Sequence, residues 1–85
     1  MLQKFRDDIR KIDEQLILLL AQRMEVAREL GKYKKANNIP VFDADVEAAI
    51  IERNRRLAHN NGLGETFVQR LYEVILEESK KTQQK

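Results

Sequence analysis

Arg23 stands on an apolar stripe of the first long segment, where its neighbours at helical spacing are Leu19 and Val26. The other members of the stripe are Leu2, Phe5, Ile9, Ile12, Leu16 and Leu30. A cation buried between helices costs several kcal/mol unless an anion meets it. That anion is either a carboxylate of the protein, such as Asp13 or Glu14 of an antiparallel partner helix, or the carboxylate of a ligand.

Further polar side chains are spaced by about whole helical turns, so that members of each set share one face of a helix. Lys34 follows Arg23 by eleven residues, nearly three turns, so both cations share a face about 16 Å apart. Asp43 and Glu47 are one turn apart. A row on the last segment changes from apolar to polar along its length; its members are Val68, Tyr72, Ile75, Ser79 and Gln83.

Taken singly, each of these residues has an ordinary structural role. Lys34 would extend to solvent, Asp43 would cap a helix, and Glu47 would lie on a surface. Ser79 and Gln83 would belong to a fraying end. Taken together, they predict a ligand site at one end of a small helical bundle.

Arg6 adds a geometric condition. It precedes Arg23 by seventeen residues, which is about 25 Å along a helix and about 100° around it. Arg6 and Arg23 of one chain therefore cannot hold the same small ligand. In an antiparallel dimer that crosses near Leu16, Arg6 of the partner subunit approaches Arg23, so the site would be completed in trans.

Three helices must position these side chains. Turn-forming residues cluster only at 37–40 and 59–64, and the periodicity between them is helical. We predict an all-α chain with helices at about 2–36, 43–58 and 65–81. A helix of residues 2–36 is about 50 Å long, whereas a compact chain of this size is about 30 Å across. Its apolar stripe is therefore expected to pack on a second copy, in an intertwined homodimer.

Composition limits the remaining classes of function. The 85 residues predict one domain, 1–85, and the absence of cysteine excludes disulfides, thiolate metal sites and cysteine nucleophiles. Sixteen Lys and Arg against 14 Asp and Glu leave little basic excess for a nucleic-acid partner. The charged first residues do not resemble a signal peptide, and the apolar run 16–21 is too short for a membrane span. We expect a cytoplasmic protein without a membrane partner.

Six features of the sequence occur together along nearly its whole length: FRDDIRKID at 5–13, LAQR at 20–23, GKYK at 31–34, PVFD at 40–43, Glu47, and ESKKTQ at 78–83. In these residues and their spacing the chain resembles the all-helical (AroQ-class) chorismate mutases. The resemblance implies a homodimer that rearranges chorismate to prephenate, in phenylalanine and tyrosine biosynthesis, with no cofactor and no metal. One departure is Val46, because known members carry an arginine at that position.

The resemblance also assigns roles to residues. Arg23 and Arg6 of the partner subunit would grip the substrate carboxylates, with help from Ser79. Lys34 and Gln83 would donate hydrogen bonds to the ether oxygen, and Asp43 and Glu47 would hold the ring hydroxyl. The residues with catalytic roles would be Lys34, Gln83, Arg23 and Glu47.

Two alternatives remain open at the level of sequence. One is an isochorismate–pyruvate lyase on the same scaffold, which would use a similar set of cations. The other is a helical dimerisation or regulatory module without catalysis, in which Arg23 would only form an ion pair. Asp43, Glu47 and Gln83 favour the mutase.

Overall fold

A computed structural model describes residues 1–85. It contains three helices and no strand: α1 spans Leu2–Ala36, α2 spans Ala44–Asn60 and α3 spans Glu65–Gln84. The predicted all-α architecture is therefore confirmed, and α1 has the bounds expected from its periodicity. The intertwined dimer stays a prediction, since the structure describes a single chain.

Both interhelical turns end the preceding helix in the same way. After α1, Asn38 adopts φ of 55°, and the Ile39 amide donates to the Lys34 carbonyl at 2.8 Å. After α2, Gly62 adopts φ of 73°, and the Leu63 amide donates to the Ala58 carbonyl at 2.8 Å. This 6→1 hydrogen bond with a left-handed residue is the Schellman motif. Each helix thus stops at a defined residue, and the chain reverses within a few residues.

The start of α2 depends on Asp43. Its side chain accepts hydrogen bonds from the amides of Asp45, at 3.0 Å, and Val46, at 3.2 Å. Asp43 is therefore the N-cap, as predicted, and helical geometry begins at Ala44. The helix continues to Asn60, two residues beyond the predicted end near Ala58, because the Schellman turn falls at Asn61 and Gly62.

The end of α3 differs from the sequence-based expectation. The periodicity predicts a helix to about Lys81, whereas α3 continues to Gln84. Thr82 is buried, with its Oγ1 3.9 Å from the Met24 sulfur of α1. Tertiary packing against α1 holds this last turn, and local sequence gives no sign of that packing.

The helix α3 lies between the other two. It packs against both α1 and α2, whereas α1 and α2 do not contact each other. The buried apolar residues are few, namely Ala27, Ala58, Val68, Ile75 and Leu76. Because only 9 of the 85 residues are buried, the core of one chain is thin, and association is the usual remedy at this size.

The first half of α1 projects beyond the other helices. The chain measures 55 × 24 × 15 Å, and its radius of gyration of 15.7 Å exceeds the value of about 12 Å for a compact chain of this length. The apolar stripe is exposed along this half, with Phe5, Ile9 and Leu16 each more than half accessible. No helix contains a stretch long and apolar enough to cross a lipid bilayer.

Candidate active site

A cavity of about 700 Å³ opens between α1 and α2, with α3 beside both helices. Its walls include apolar side chains such as Val26, Leu30 and Ile50. Six of the seven predicted site residues line it: Arg23, Lys34, Asp43, Glu47, Ser79 and Gln83. A cavity of this size, with apolar walls and a few convergent polar groups, suits a small organic ligand.

Lys34 and Gln83 form a hydrogen-bonded pair across the α1–α3 junction. The Lys34 ammonium donates to Gln83 Oε1 at 2.8 Å and to the Val41 carbonyl at 3.1 Å. An ammonium has three N–H groups and no acceptor, so one donor of Lys34 remains free. The Gln83 amide turns its Oε1 to Lys34, and its Nε2 lies 3.3 Å from Ser79 Oγ. Two N–H donors therefore lie side by side at one end of the cavity.

Gly31 permits the close approach that places Gln83. A Cβ atom added to Gly31 would lie 2.7 Å from the Gln83 Cα, which is backbone and cannot rotate away. Close helix packing thus accounts for a glycine inside α1 at this position. The packing partner is the last turn of α3, which carries a cavity residue.

Arg23 faces the cavity from the middle of α1. It forms no ion pair with a carboxylate of its own chain. Its guanidinium carbon lies 5.9 Å from the centre of the Tyr72 ring, within the range of cation–π attraction. Its N–H donors are free of intrachain anions, and a planar guanidinium suits a carboxylate ligand.

The two carboxylates of α2 differ in their partners. Asp43 is committed in part to the N-cap of its own helix. Glu47 meets Lys80 of α3, whose ammonium lies 3.2 Å from Glu47 Oε2 and 3.5 Å from Oε1. The cavity thus holds three cations and two carboxylates, counting Lys80 with Arg23 and Lys34.

The predicted site and the observed lining of the cavity differ at two residues. Arg6 is exposed on the projecting half of α1 and does not line the cavity of its own chain. Lys80 does line it, although no pattern in the sequence had singled it out. The spacing of Lys80 could have indicated it. Lys80 follows the buried Leu76 by four residues, or one turn, just as Arg23 follows Leu19 on the apolar stripe of α1.

The arrangement has a definite chemical character. Its donors are three cations and an amide, its acceptors are two carboxylates, and apolar side chains make up much of the remaining wall. Such a site suits a small anionic ligand that also carries hydroxyl or ether oxygens. The chain is therefore a small helical bundle with a cavity of ligand size between its helices.

Comparison with known proteins identifies the family. The family model described as "Chorismate mutase type II" matches residues 5–84, and the chain belongs to this family. The bifunctional chorismate mutase/prephenate dehydratase of Escherichia coli (strain K12) is 40% identical over 79 residues, which are 93% of this chain and 20% of that protein. The protein of the same description from Buchnera aphidicola subsp. Schizaphis graminum (strain Sg) is 34% identical over 99% of this chain and 22% of that protein.

A third relative is shorter. The chorismate mutase of Methanocaldococcus jannaschii is 27% identical over 96% of this chain and 83% of that protein. The chain therefore spans about a fifth of the length of the two bifunctional relatives and most of the length of the archaeal one.

Proposed function

We propose that this chain catalyses the rearrangement of chorismate to prephenate, a step of phenylalanine and tyrosine biosynthesis. The observation that carries the proposal is the convergence of Arg23, Lys34 and Gln83 with Glu47 in one cavity. Membership of the type II chorismate mutase family supports it, as do relatives described by that activity. The reaction is intramolecular: one C–O ether bond breaks and one C–C bond forms, and no atom is gained or lost.

The proposed mechanism relies on positioning and electrostatics. A pericyclic step needs no nucleophile and no obligate proton transfer, so the protein must hold the enolpyruvyl arm over the ring. Negative charge grows on the ether oxygen as its bond breaks. Donors preorganised toward that oxygen stabilise the transition state more than the ground state.

The donors at the α1–α3 junction meet this requirement. The free N–H of Lys34 and the Nε2 amide of Gln83 would both donate to the ether oxygen. Removal of one such donor is expected to cost about 2.7–4 kcal/mol of transition-state stabilisation, by analogy with oxyanion holes. Ser79, which already contacts Gln83 Nε2, would assist a substrate carboxylate.

The other residues would bind the periphery of the substrate. Arg23 would form a bidentate pair with one carboxylate, since it has no intrachain anion. Glu47 would accept a hydrogen bond from the ring hydroxyl, with Asp43 beside it at the start of α2. The apolar wall formed by Val26, Leu30 and Ile50 would pack on the ring.

We propose further that the chain acts as a homodimer in which Arg6 is supplied in trans. Two observations support this: the apolar stripe of α1 is exposed, and Arg6 does not line the cavity of its own chain. An apolar stripe this long is larger than monomeric proteins usually expose. We also propose that residues 1–85 act as a single chorismate mutase domain in the cytoplasm, and cell fractionation would test the location.

A direct assay tests the function. Purified chain should consume chorismate and release prephenate. Arg23→Leu should lower kcat/KM by about 10²-fold or more, because a preorganised carboxylate clamp is lost, and should leave the dimer intact. Arg56→Leu is the matched control, since Arg56 is exposed on α2 and pairs only with Glu52.

The same assay separates the alternatives. Turnover of isochorismate in preference to chorismate would indicate the lyase. A non-catalytic module would show no turnover, and Arg23→Leu would then raise its stability, as replacement of a buried structural charge often does.

A further inference from the structure

Lys80 is the one cation of the cavity that comes from α3. Its ammonium contacts both oxygens of Glu47, at 3.2 and 3.5 Å. The Lys80 side chain is 31% exposed and that of Glu47 is 24% exposed. The pair is therefore sheltered, whereas the next ion pair of α3, Lys81 with Glu77, is more than 60% exposed on both sides.

The Lys80 ammonium also makes a second contact. It lies 4.8 Å from the centre of the Phe42 ring, in the segment that joins α1 to α2. Phe42 adjoins the N-cap Asp43, and Glu47 lies one turn beyond it on α2. Lys80 thus ties α3 to the start of α2 at two points, and α3 is the only helix that contacts α2.

The neighbouring position on α2 is apolar. Val46 lines the cavity directly before Glu47, where the family resemblance implies an arginine. In this chain α2 therefore supplies no cation to the site. Without Lys80, the lining of the cavity would hold two cations, Arg23 and Lys34, and two carboxylates, so its formal charges would sum to zero.

We propose that Lys80 is the positioning residue for Glu47, and that it replaces from α3 the cation that α2 lacks at Val46. It holds the Glu47 carboxylate in a fixed orientation, so that this carboxylate accepts from the ligand hydroxyl instead of turning to solvent. It also offsets the charge of Glu47 beside a ligand that carries carboxylates. The inference rests on the proposed function for the identity of that ligand.

A kinetic double-mutant cycle tests the inference. Lys80→Met should lower kcat/KM by about 10- to 100-fold, because a group misplaced by about 1 Å can cost 10²-fold. Most of the loss should fall on kcat, since a misdirected Glu47 affects the transition state more than binding alone. Lys80→Arg should keep activity within about threefold of wild type, because a guanidinium can pair with both oxygens of Glu47 and lie over the Phe42 ring. Lys81→Met is the matched control and should not change turnover.

The cycle partner is Glu47→Gln. If Lys80 acts through Glu47, the double variant should be no worse than Glu47→Gln alone, and the two losses should not add. Additive losses, or full activity in Lys80→Met, would overturn the inference. Thermal unfolding of each variant separates positioning from folding, because positioning predicts kinetic losses without a matching fall in Tm.

Calorimetric titration with prephenate keeps this test distinct from that of the proposed function. If the wild-type chain binds prephenate without converting chorismate, the proposed catalysis fails. The double-mutant cycle of Lys80→Met and Glu47→Gln is then measured through the Kd for prephenate. Non-additive losses of affinity would then support the role of Lys80. Additive losses, or no binding by wild type, would overturn it.

Discussion

The amide of Gln83 has its orientation set by Lys34. A lysine ammonium only donates, so the Gln83 side chain must present Oε1 to it, at 2.8 Å. The Nε2 group is thereby directed toward Ser79 and the cavity. One hydrogen bond between two helices thus fixes which atom of residue 83 faces a ligand. An amide keeps this donor at any ordinary pH, so full activity should not require acid.

Substitution Gln83→Glu should make the reaction depend on acid. At neutral pH the introduced carboxylate is ionised beside Lys34 and has no proton to donate, so kcat/KM should fall by about 10²–10³-fold. The rate should rise as pH falls, because the protonated carboxyl regains an O–H donor. A pH–rate profile from neutral to acidic pH measures this.

The neighbouring residue provides the control. Gln84→Glu places the same charge on the exposed face of the last turn and should keep the wild-type profile. A flat profile for Gln83→Glu at wild-type rate would remove the residue 83 donor from the mechanism.

At the scale of the elements, α3 carries the site. It contacts both other helices, and it brings Ser79, Lys80 and Gln83 to a cavity whose opposite walls are α1 and α2. Its last turn lies against Gly31 of α1. The position of Gln83 therefore depends on Gly31, which does not line the cavity.

Substitution Gly31→Ala should separate stability from activity. The added Cβ would meet the backbone of Gln83, so the last turn of α3 must move away. Overpacking costs about 1–3 kcal/mol, and the better helix propensity of alanine offsets about 1 kcal/mol. Stability should fall modestly, while kcat/KM should fall by about 10²-fold because the Gln83 donor is misplaced. Chemical denaturation and the chorismate assay measure the two effects.

Gly62→Ala is the contrasting variant. Its φ of 73° disfavours alanine, and no heavy atom lies within 4 Å of the added Cβ. It should destabilise the chain by about 1 kcal/mol through backbone strain alone, with normal turnover by the folded protein. Normal turnover by Gly31→Ala would show that the close approach does not determine the site.

At the scale of the whole molecule, a single chain leaves a large apolar surface of α1 without a packing partner. Its longest helix projects beyond the core, with an apolar stripe exposed along its length. Arg23 lies on that stripe and also lines the cavity. Dimerisation and completion of the site are therefore expected to be the same event.

Mixing two inactive variants tests completion in trans. Arg6→Leu and Arg23→Leu chains should each be nearly inactive as homodimers. In their heterodimer, the site on the Arg6→Leu chain has its own Arg23 and receives Arg6 from the partner subunit, so it is wild type. Random pairing at equal amounts should restore about a quarter of the wild-type sites. Turnover after co-refolding measures this.

A second mixture is the control. Arg23→Leu with Lys34→Met damages both sites of the heterodimer, because both residues act in the cavity of their own chain. It should show no recovery. Equal activity in the two mixtures would mean that Arg6 does not act across the dimer.

The sequence by itself determined what depends on local periodicity. The apolar repeat gave the bounds of α1, Asp43 was recognised as an N-cap, and residues 37–40 and 59–64 were recognised as turns. Because an α-helix has 3.6 residues per turn, Arg23 and Lys34 share one face of α1, and Ser79 and Gln83 share one face of α3. Helical phase fixes which residues share a face, so the sequence predicts the polar faces without any knowledge of how the helices pack.

The tertiary structure decided which faces meet. It placed α3 between α1 and α2, left the cavity between those two, and set the last turn of α3 on Gly31. It also paired Lys80 with Glu47, thirty-three residues apart in sequence. Periodicity describes directions around a single helix axis, whereas these contacts depend on the distances and angles between axes, which packing alone sets.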